Sequence, residues 1–265
     1  MSQTLPSQEQ TDTRYGKMRY YAEDPTIGRS LLLYGEYCHQ EIETILSMLD
    51  KDSVYVDVGA NIGTHSVSIA PHVAHVHAFE PNFENLYLLE RNTKSHQNIT
   101  VYSKAASDHK EFGYTEFNFG KTVYARATHK GQHPRETLNR SKLLDSYEWP
   151  RVDFVKIDTE GHELQVLQGM GYILSNNRPC MLVEMQDETK YSEIYDWLTM
   201  FEYKMYWFPV ATYNPNNWKN NTKDVFGKQH GVINWICTPD LINTTLQPVV
   251  DREDTVERMN YRQRQ

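Results

Sequence analysis

Cysteine is scarce in this 265-residue chain: Cys38, Cys180 and Cys237 are the only three, and they lie far apart. An odd number with no C-x-x-C pair excludes a disulfide framework and a zinc knuckle. Also missing is any apolar run long enough to cross a bilayer. Residues 1–14 are too polar to contain the apolar core of a secretory signal. These absences lead us to expect a soluble, unsecreted, cytoplasmic protein with reduced thiols. Positive charge is not in excess either, since 27 Lys and Arg face 35 Asp and Glu for a net charge of −8. Binding to a phosphate backbone draws its affinity from Lys and Arg displacing counterions, so nucleic acid is disfavoured as a partner. No internal repeat or low-complexity tract is found.

What is present is a hydrophobic fraction of 39%, enough over this length for one sizeable core. The reading divides the chain into an N-terminal extension over 1–35, a domain over 36–240 and a polar C-terminal tail over 241–265. Residues 1–25 show no clear period and are expected to lie loosely on the surface, with Tyr15, Tyr20 and Tyr21 as docking area. Ile42, Ile45, Leu46 and Leu49 recur at helical spacing between Tyr37 and Leu49. Short apolar strands then alternate with helical segments: strand 53–58, a helix from Gly63, strand 74–79, a helix over 82–95 and strand 99–102. Such a rhythm implies an α/β fold with parallel strands and right-handed crossovers. An aromatic and β-branched insertion over 112–130 reads as a hairpin. The rhythm resumes with strand 152–158, a helix over 162–175, strand 180–184 and a helix over 189–201. Strands 204–208 and 232–237 follow, separated by a long Asn- and aromatic-rich loop over 209–231.

Chemistry concentrates at three strand ends. Gly59 and Gly63 flank a sharp strand-to-helix turn, where the backbone can approach a ligand closely. A dinucleotide fold would show G-x-G-x-x-G, whereas here Asn61 replaces the middle glycine and Asp57 precedes the turn. An acid there repels pyrophosphate and suits a ligand with positive charge, such as the ammonium and sulfonium of S-adenosylmethionine. One strand later, Glu80 stands where a carboxylate accepts hydrogen bonds from ribose hydroxyls. Third comes the charged run from Asp153 to Glu163, whose Asp158 and Glu160 point toward the cleft outside the strand ends. Lys156 sits mid-strand and needs a partner, for which Glu184 and Glu163 are the expected acids.

The segments VDVGANIGTHS (56–66), HAFEPNFENLYLLERN (77–92) and VDFVKIDTEGHELQVLQGM (152–170) together resemble the FkbM family of methyltransferases. Leu33-Tyr34-Gly35-Glu36-Tyr37 and Met181-Leu182-Val183-Glu184 extend the resemblance over roughly 33–210. It implies a class I methyltransferase, Rossmann-like fold: a seven-stranded, mostly parallel sheet of order 3-2-1-4-5-7-6 with helices on both faces. It also implies S-adenosylmethionine as methyl donor and O-methylation of a sugar or other small hydroxyl-bearing acceptor. The donor set is then Asp57, Gly59, Ala60, Asn61, Gly63, Thr64, Glu80, Pro81 and Asp158, with Ser103, Lys104 and Ala105 bordering the adenine.

In-line transfer to a hydroxyl needs alignment and a base, and His162 and Asp158 are the candidates, with Glu160 orienting either. Aromatic faces beside amides suit a carbohydrate, which singles out Tyr34, Glu36, Tyr213 and Trp218 for the acceptor. Phe119-Gly120-Lys121-Thr122 ends like a phosphate loop but lacks the leading glycine. His72, His75 and His77 read as structural histidines, and no acidic spacing demands a metal. Three rivals stand: an RNA 2'-O-methyltransferase, an NAD(P)-dependent oxidoreductase and a non-enzymatic binding module.

Overall fold

Residues 5–109, 113–119, 122–128, 136–137, 141–227 and 230–263 are described by a computed structural model of the chain. An antiparallel hairpin of β1 (Gln8–Thr13) and β2 (Gly16–Tyr21) leads into α1 (Ile27–Tyr34) and α2 (His39–Leu46). There follow β3 (Val54–Val58), α3 (Thr64–Ile69), β4 (His75–Phe79), α4 (Phe83–Thr93) and β5 (Ile99–Tyr102). The insertion contains β6 (Gly113–Phe119), β7 (Thr122–Thr128) and β8 (Glu136–Thr137), an antiparallel sheet of its own. Gly120 and Lys121, the centre of the phosphate-loop lookalike, lie outside the described residues. The main fold resumes with β9 (Phe154–Ile157), α5 (Glu163–Gln168), α6 (Gly171–Asn176), β10 (Cys180–Glu184), α7 (Tyr191–Met200), β11 (Lys204–Ala211), β12 (Gly231–Thr238) and α8 (Val256–Gln263).

Seven strands form one sheet in the order β11-β12-β10-β9-β3-β4-β5, with β12 antiparallel to both its neighbours and the other pairings parallel. Counted along that sheet, this is the expected 3-2-1-4-5-7-6 order of a class I methyltransferase fold. The central strands are apolar at nearly every position because both faces are covered. Val56, Val155 and Val183 face a core shared with α5, α6 and α7, whereas Tyr55, Phe154 and Leu182 face the one formed with α2 and α3. No helix among the described residues is long and apolar enough to cross a membrane.

Both ends of the chain are better anchored than their composition suggests. Met18 and Tyr20 on β2 are buried with Ile62, Val67 and Leu88, and Asn92 bonds both the N–H and the carbonyl of Arg19. At the other end the Trp207 N–H donates to the Gln247 carbonyl, and the buried Asp254 carboxylate accepts from Trp207 Nε1 at 3.1 Å. In each case one buried side chain supplies a contact that a polar segment does not advertise. Gly169, between α5 and α6, packs closely against another distant segment. A Cβ on Gly169 would stand 2.1 Å from the Ser107 carbonyl oxygen, so only glycine allows that approach.

Candidate functional site

The turn after β3 is set first by backbone contacts. The N–H groups of Gly59 and Ala60 both donate to the Phe79 carbonyl, at 3.0 and 2.9 Å, which locks the turn to the end of β4. Gly59 has a φ of +82°, and a Cβ there would meet the Asp158 carbonyl oxygen at 1.7 Å. Asn61 and Gly63 are also left-handed, with φ of 51° and 92°. Asp57 lies fully buried behind this turn. One of its oxygens accepts from Ser66 Oγ at 2.6 Å, while Oδ1 has no hydrogen-bond partner and stands 4.0 Å from Lys156 Nζ.

Glu80 is held at the end of β4 by two backbone donors, Asn61 N–H to Oε2 at 2.9 Å and Asn82 N–H to Oε1 at 2.7 Å. Burial pushes its pKa up to about 7 against the pull of those two bonds. The first turn of α4 is in turn capped by Asn82, whose side chain accepts from Asn85 N–H.

At the end of β9 the partner of Lys156 differs from expectation. Its ammonium lies 2.8 Å from Asp158 and 4.0 Å from Asp57 rather than on Glu184 or Glu163. Register explains this. Asp57 is paired across from Lys156 in the parallel ladder and Asp158 is two residues on along the same face, whereas Val183 pairs with Ile157 and so sets Glu184 beside Asp158. Burial alone would lower the lysine's proton affinity, but Asp158, Asp57 and Glu41 raise it above the usual value. Burial would likewise raise Asp158, and Lys156 overrides it to hold that carboxylate ionised. Glu184 is pushed well up by burial and by the Asp158 charge beside it. Glu163 instead closes the following turn, accepting from Thr159 N–H, Thr159 Oγ1 and Gly161 N–H.

Glu160 occupies that turn in a left-handed conformation, φ 57°, and accepts from Gln186 Nε2 at 2.5 Å. Burial and the neighbouring Asp158 raise its pKa to about 7. His162 is buried, its Nε2 lying 3.0 Å from Ser107 Oγ.

These strand ends open into a cavity of about 780 Å³. Gly59, Ala60, Asn61 and Thr64 line it from the β3 turn, Glu80 and Pro81 from β4, Lys104 and Ala105 from β5, and Asp158, Glu160 and His162 from β9. Asp57, Gly63 and Ser103 do not line it: the first two lie behind the turn, and Ser103 is exposed. Tyr34, Glu36, Tyr213 and Trp218 are not on its wall either. They fasten the 212–227 loop to the N-terminal segments. Glu36 accepts from Arg14 Nε, Asn214 Nδ2 and the Trp218 N–H. Tyr34 bridges the Lys223 carbonyl and the Val225 N–H, and its ring lies 5.3 Å from that of Tyr213.

Several wall residues were not among the expected site residues. Arg29 comes from α1, Tyr37 from the turn before α2, His65 from α3, and Phe226 and His230 from the loop. His65 is paired with Glu41 at 2.9 Å, and Glu41 also accepts from Asn234 Nδ2. The remaining histidines of interest are structural in their contacts, His75 to Thr100 Oγ1 and His77 to the Tyr102 hydroxyl.

The family model for the methyltransferase FkbM domain matches residues 57–206, which contain the three strand-end motifs. The hexuronic acid methyltransferase AglP of Haloferax volcanii is 35% identical over 136 residues, 49% of this chain and 54% of that protein. The match thus spans about half the length of that relative. Among solved structures, the methyltransferase FkbM of Methylobacillus flagellatus KT is similar at 17% identity, covering 71% of this chain and 44% of its own, with a TM-score of 0.46. An rRNA methylase of Streptococcus thermophilus is similar at 11% identity, covering 76% and 94%, with a TM-score of 0.48.

Proposed function

This chain belongs to the FkbM methyltransferase family, and on that premise we propose that it transfers a methyl group from S-adenosylmethionine to an oxygen of a sugar or other small hydroxyl-bearing acceptor. The observation that carries the reading is the acidic wall of the cavity. Glu80, Asp158, Glu160 and Glu184 face it, while the ammonium of Lys156 is already taken up by Asp158 and Asp57. A ligand bearing an ammonium and a sulfonium fits such a wall, and a pyrophosphate does not. Glu80 suits the ribose, because each of its oxygens accepts one backbone N–H and retains a lone pair for a hydroxyl. Lys104 and Ala105 suit the adenine border.

When bound, the donor supplies an electrophilic methyl group on sulfur. The chain's own residues align the acceptor, exclude water and receive a proton. Glu160, expected only to orient His162 or Asp158, has a pKa near 7 and lines the cavity, which suits it to accept a hydroxyl proton near neutrality. Asp158, held ionised by Lys156, contributes negative charge beside it. His162, buried against Ser107, positions the turn that carries Glu160. The sugar acceptor is supported by the name of the relative from Haloferax volcanii.

Titration calorimetry with S-adenosylhomocysteine tests the donor half, and mass spectrometry of glycans incubated with isotopically labelled donor tests the acceptor half. Binding and a labelled sugar product are expected. No detectable S-adenosylhomocysteine binding would sink the reading, and label on RNA alone would replace the acceptor class.

A further inference from the structure

The cavity is polarised. Its deep end is acidic, whereas the end built by α1 and the 212–230 loop carries Arg29, Phe226 and His230. Among the described residues the Arg29 guanidinium makes no ion pair. Its one recorded side-chain partner is the Phe226 ring, with Cζ 5.8 Å from the centroid. Lys156 is neutralised by two carboxylates, and Lys104 stands at the end of β5 on the donor side. Arg29 is therefore the cation available to whatever occupies the outer half.

Its neighbours are held in place. Phe226 sits between Tyr34, at 5.9 Å between centroids, and His230, stacked at 5.1 Å and 29°. The turn beneath it is fixed by Asp224, whose carboxylate accepts from the Phe226 and Gly227 N–H groups. His230 is anchored through Nδ1 to Thr212 Oγ1 at 2.9 Å, which leaves Nε2 as its other hydrogen-bonding atom. The Phe226 ring, covered by Arg29 and His230, backs a guanidinium without an ion pair among the described residues and an imidazole edge, and these suit one ligand chemistry: a sugar whose carboxylate pairs with the guanidinium and whose hydroxyl meets the imidazole.

We propose that Arg29, Phe226 and His230 form an acceptor subsite for a carboxylated sugar, a uronic acid residue, with Arg29 reading the carboxylate. This rests on the methyl-transfer reading above and adds to it the charge of the acceptor and the residues that recognise it. A single negative charge is favoured over a phosphate because the wall beyond Arg29 is already acidic and repels a dianion more strongly. The arrangement sets a cationic donor against acidic residues and an anionic acceptor against a cationic one, so each ligand is disfavoured in the other's half.

The test is calorimetry on the S-adenosylhomocysteine-loaded protein with methyl glucuronoside, methyl galacturonoside, methyl glucoside and glucose 6-phosphate. The wild type is expected to prefer a uronoside over the glucoside and the phosphate. Arg29→Gln is expected to weaken uronoside binding about ten- to a hundredfold, the range for a charge-assisted contact, while glucoside binding and S-adenosylhomocysteine affinity stay unchanged. Phe226→Ala, which removes the ring that backs Arg29 and His230, is expected to weaken uronoside binding while S-adenosylhomocysteine affinity stays unchanged. Equal wild-type binding of uronoside and glucoside, preference for the phosphate, or a uronoside affinity indifferent to Arg29→Gln would each overturn the proposal. Loss of S-adenosylhomocysteine binding by the wild type would remove the underlying methyl-transfer reading, and with it the subsite, so the two failures are read from different ligands.

Discussion

Acidifying the solution is expected to weaken donor-product binding through one carboxyl group, Glu80. Burial holds this group at a pKa of about 7 in the ligand-free protein. Ribose hydroxyls donate to the ionised form, so binding draws the pKa back toward the ordinary carboxylate value of about 4.3. Only the ionised fraction is competent. That fraction is about 0.9 near pH 8 and about 0.03 near pH 5.5, a ratio of about thirty, or about 2 kcal/mol. Calorimetric titration of S-adenosylhomocysteine across that range should show affinity falling about tenfold per pH unit once below pH 7. Glu80→Gln should bind more weakly at high pH and lose most of the slope. Glu160 has a similarly raised pKa, so Glu160→Gln serves as the control and should keep the slope. A flat wild-type profile, or an unchanged slope in Glu80→Gln, would refute the reasoning. The same shift has a consequence for the unliganded fold. Because the folded state binds this proton more tightly than the unfolded chain, the contribution of Glu80 to stability is present below about pH 4.5 and is lost as pH rises through about 7.

Gly59→Ala places a methyl group 1.7 Å from the Asp158 carbonyl oxygen at a φ of +82°, so the ends of β3 and β9 must part. The left-handed conformation alone costs about 1–2 kcal/mol, and with the clash a loss of about 3 kcal/mol or more is expected in urea unfolding. A variant within about 0.5 kcal/mol of wild type would contradict the close approach. Glu36→Ala strips Arg14, Asn214 and the Trp218 N–H of their shared acceptor, leaving part-buried donors unpaired at a cost of about 1–3 kcal/mol. Limited proteolysis should then cut within residues 212–227, and a digestion pattern identical to wild type would show that Glu36 does not hold the loop.

The inner half of the cavity was legible because each of its parts is local in sequence. A parallel strand buried on both faces must be apolar, so Val54–Val58 and Phe154–Ile157 announce themselves. The residues just past their ends face the cleft by topology. The glycine of the turn was legible for a related reason, though only the fold shows what forces it: the carbonyl of Asp158, about a hundred residues away in the chain, fills the space of a side chain. The helix after Glu80 was readable from Asn82, whose side chain caps it.

Other features depended on register and docking. Asp158, two residues along the same strand, meets Lys156 whatever the register, whereas only the pairing of β9 with β3 and β10 brings Asp57 rather than Glu184 to its other side. Tyr34, Glu36, Tyr213 and Trp218 carry the right chemistry for a sugar and spend it on joining the loop to the N-terminal segments. The residues that do reach the outer cavity, Arg29 and Phe226, come from opposite ends of the chain and meet at 5.8 Å through that docking. The sequence by itself therefore determined the sheet and the strand ends that line the cavity, whose hydrophobic runs are properties of neighbouring residues. The outer wall of the cavity was decided only by tertiary structure, because it is made of side chains with no shared period, brought together by hydrogen bonds between distant segments.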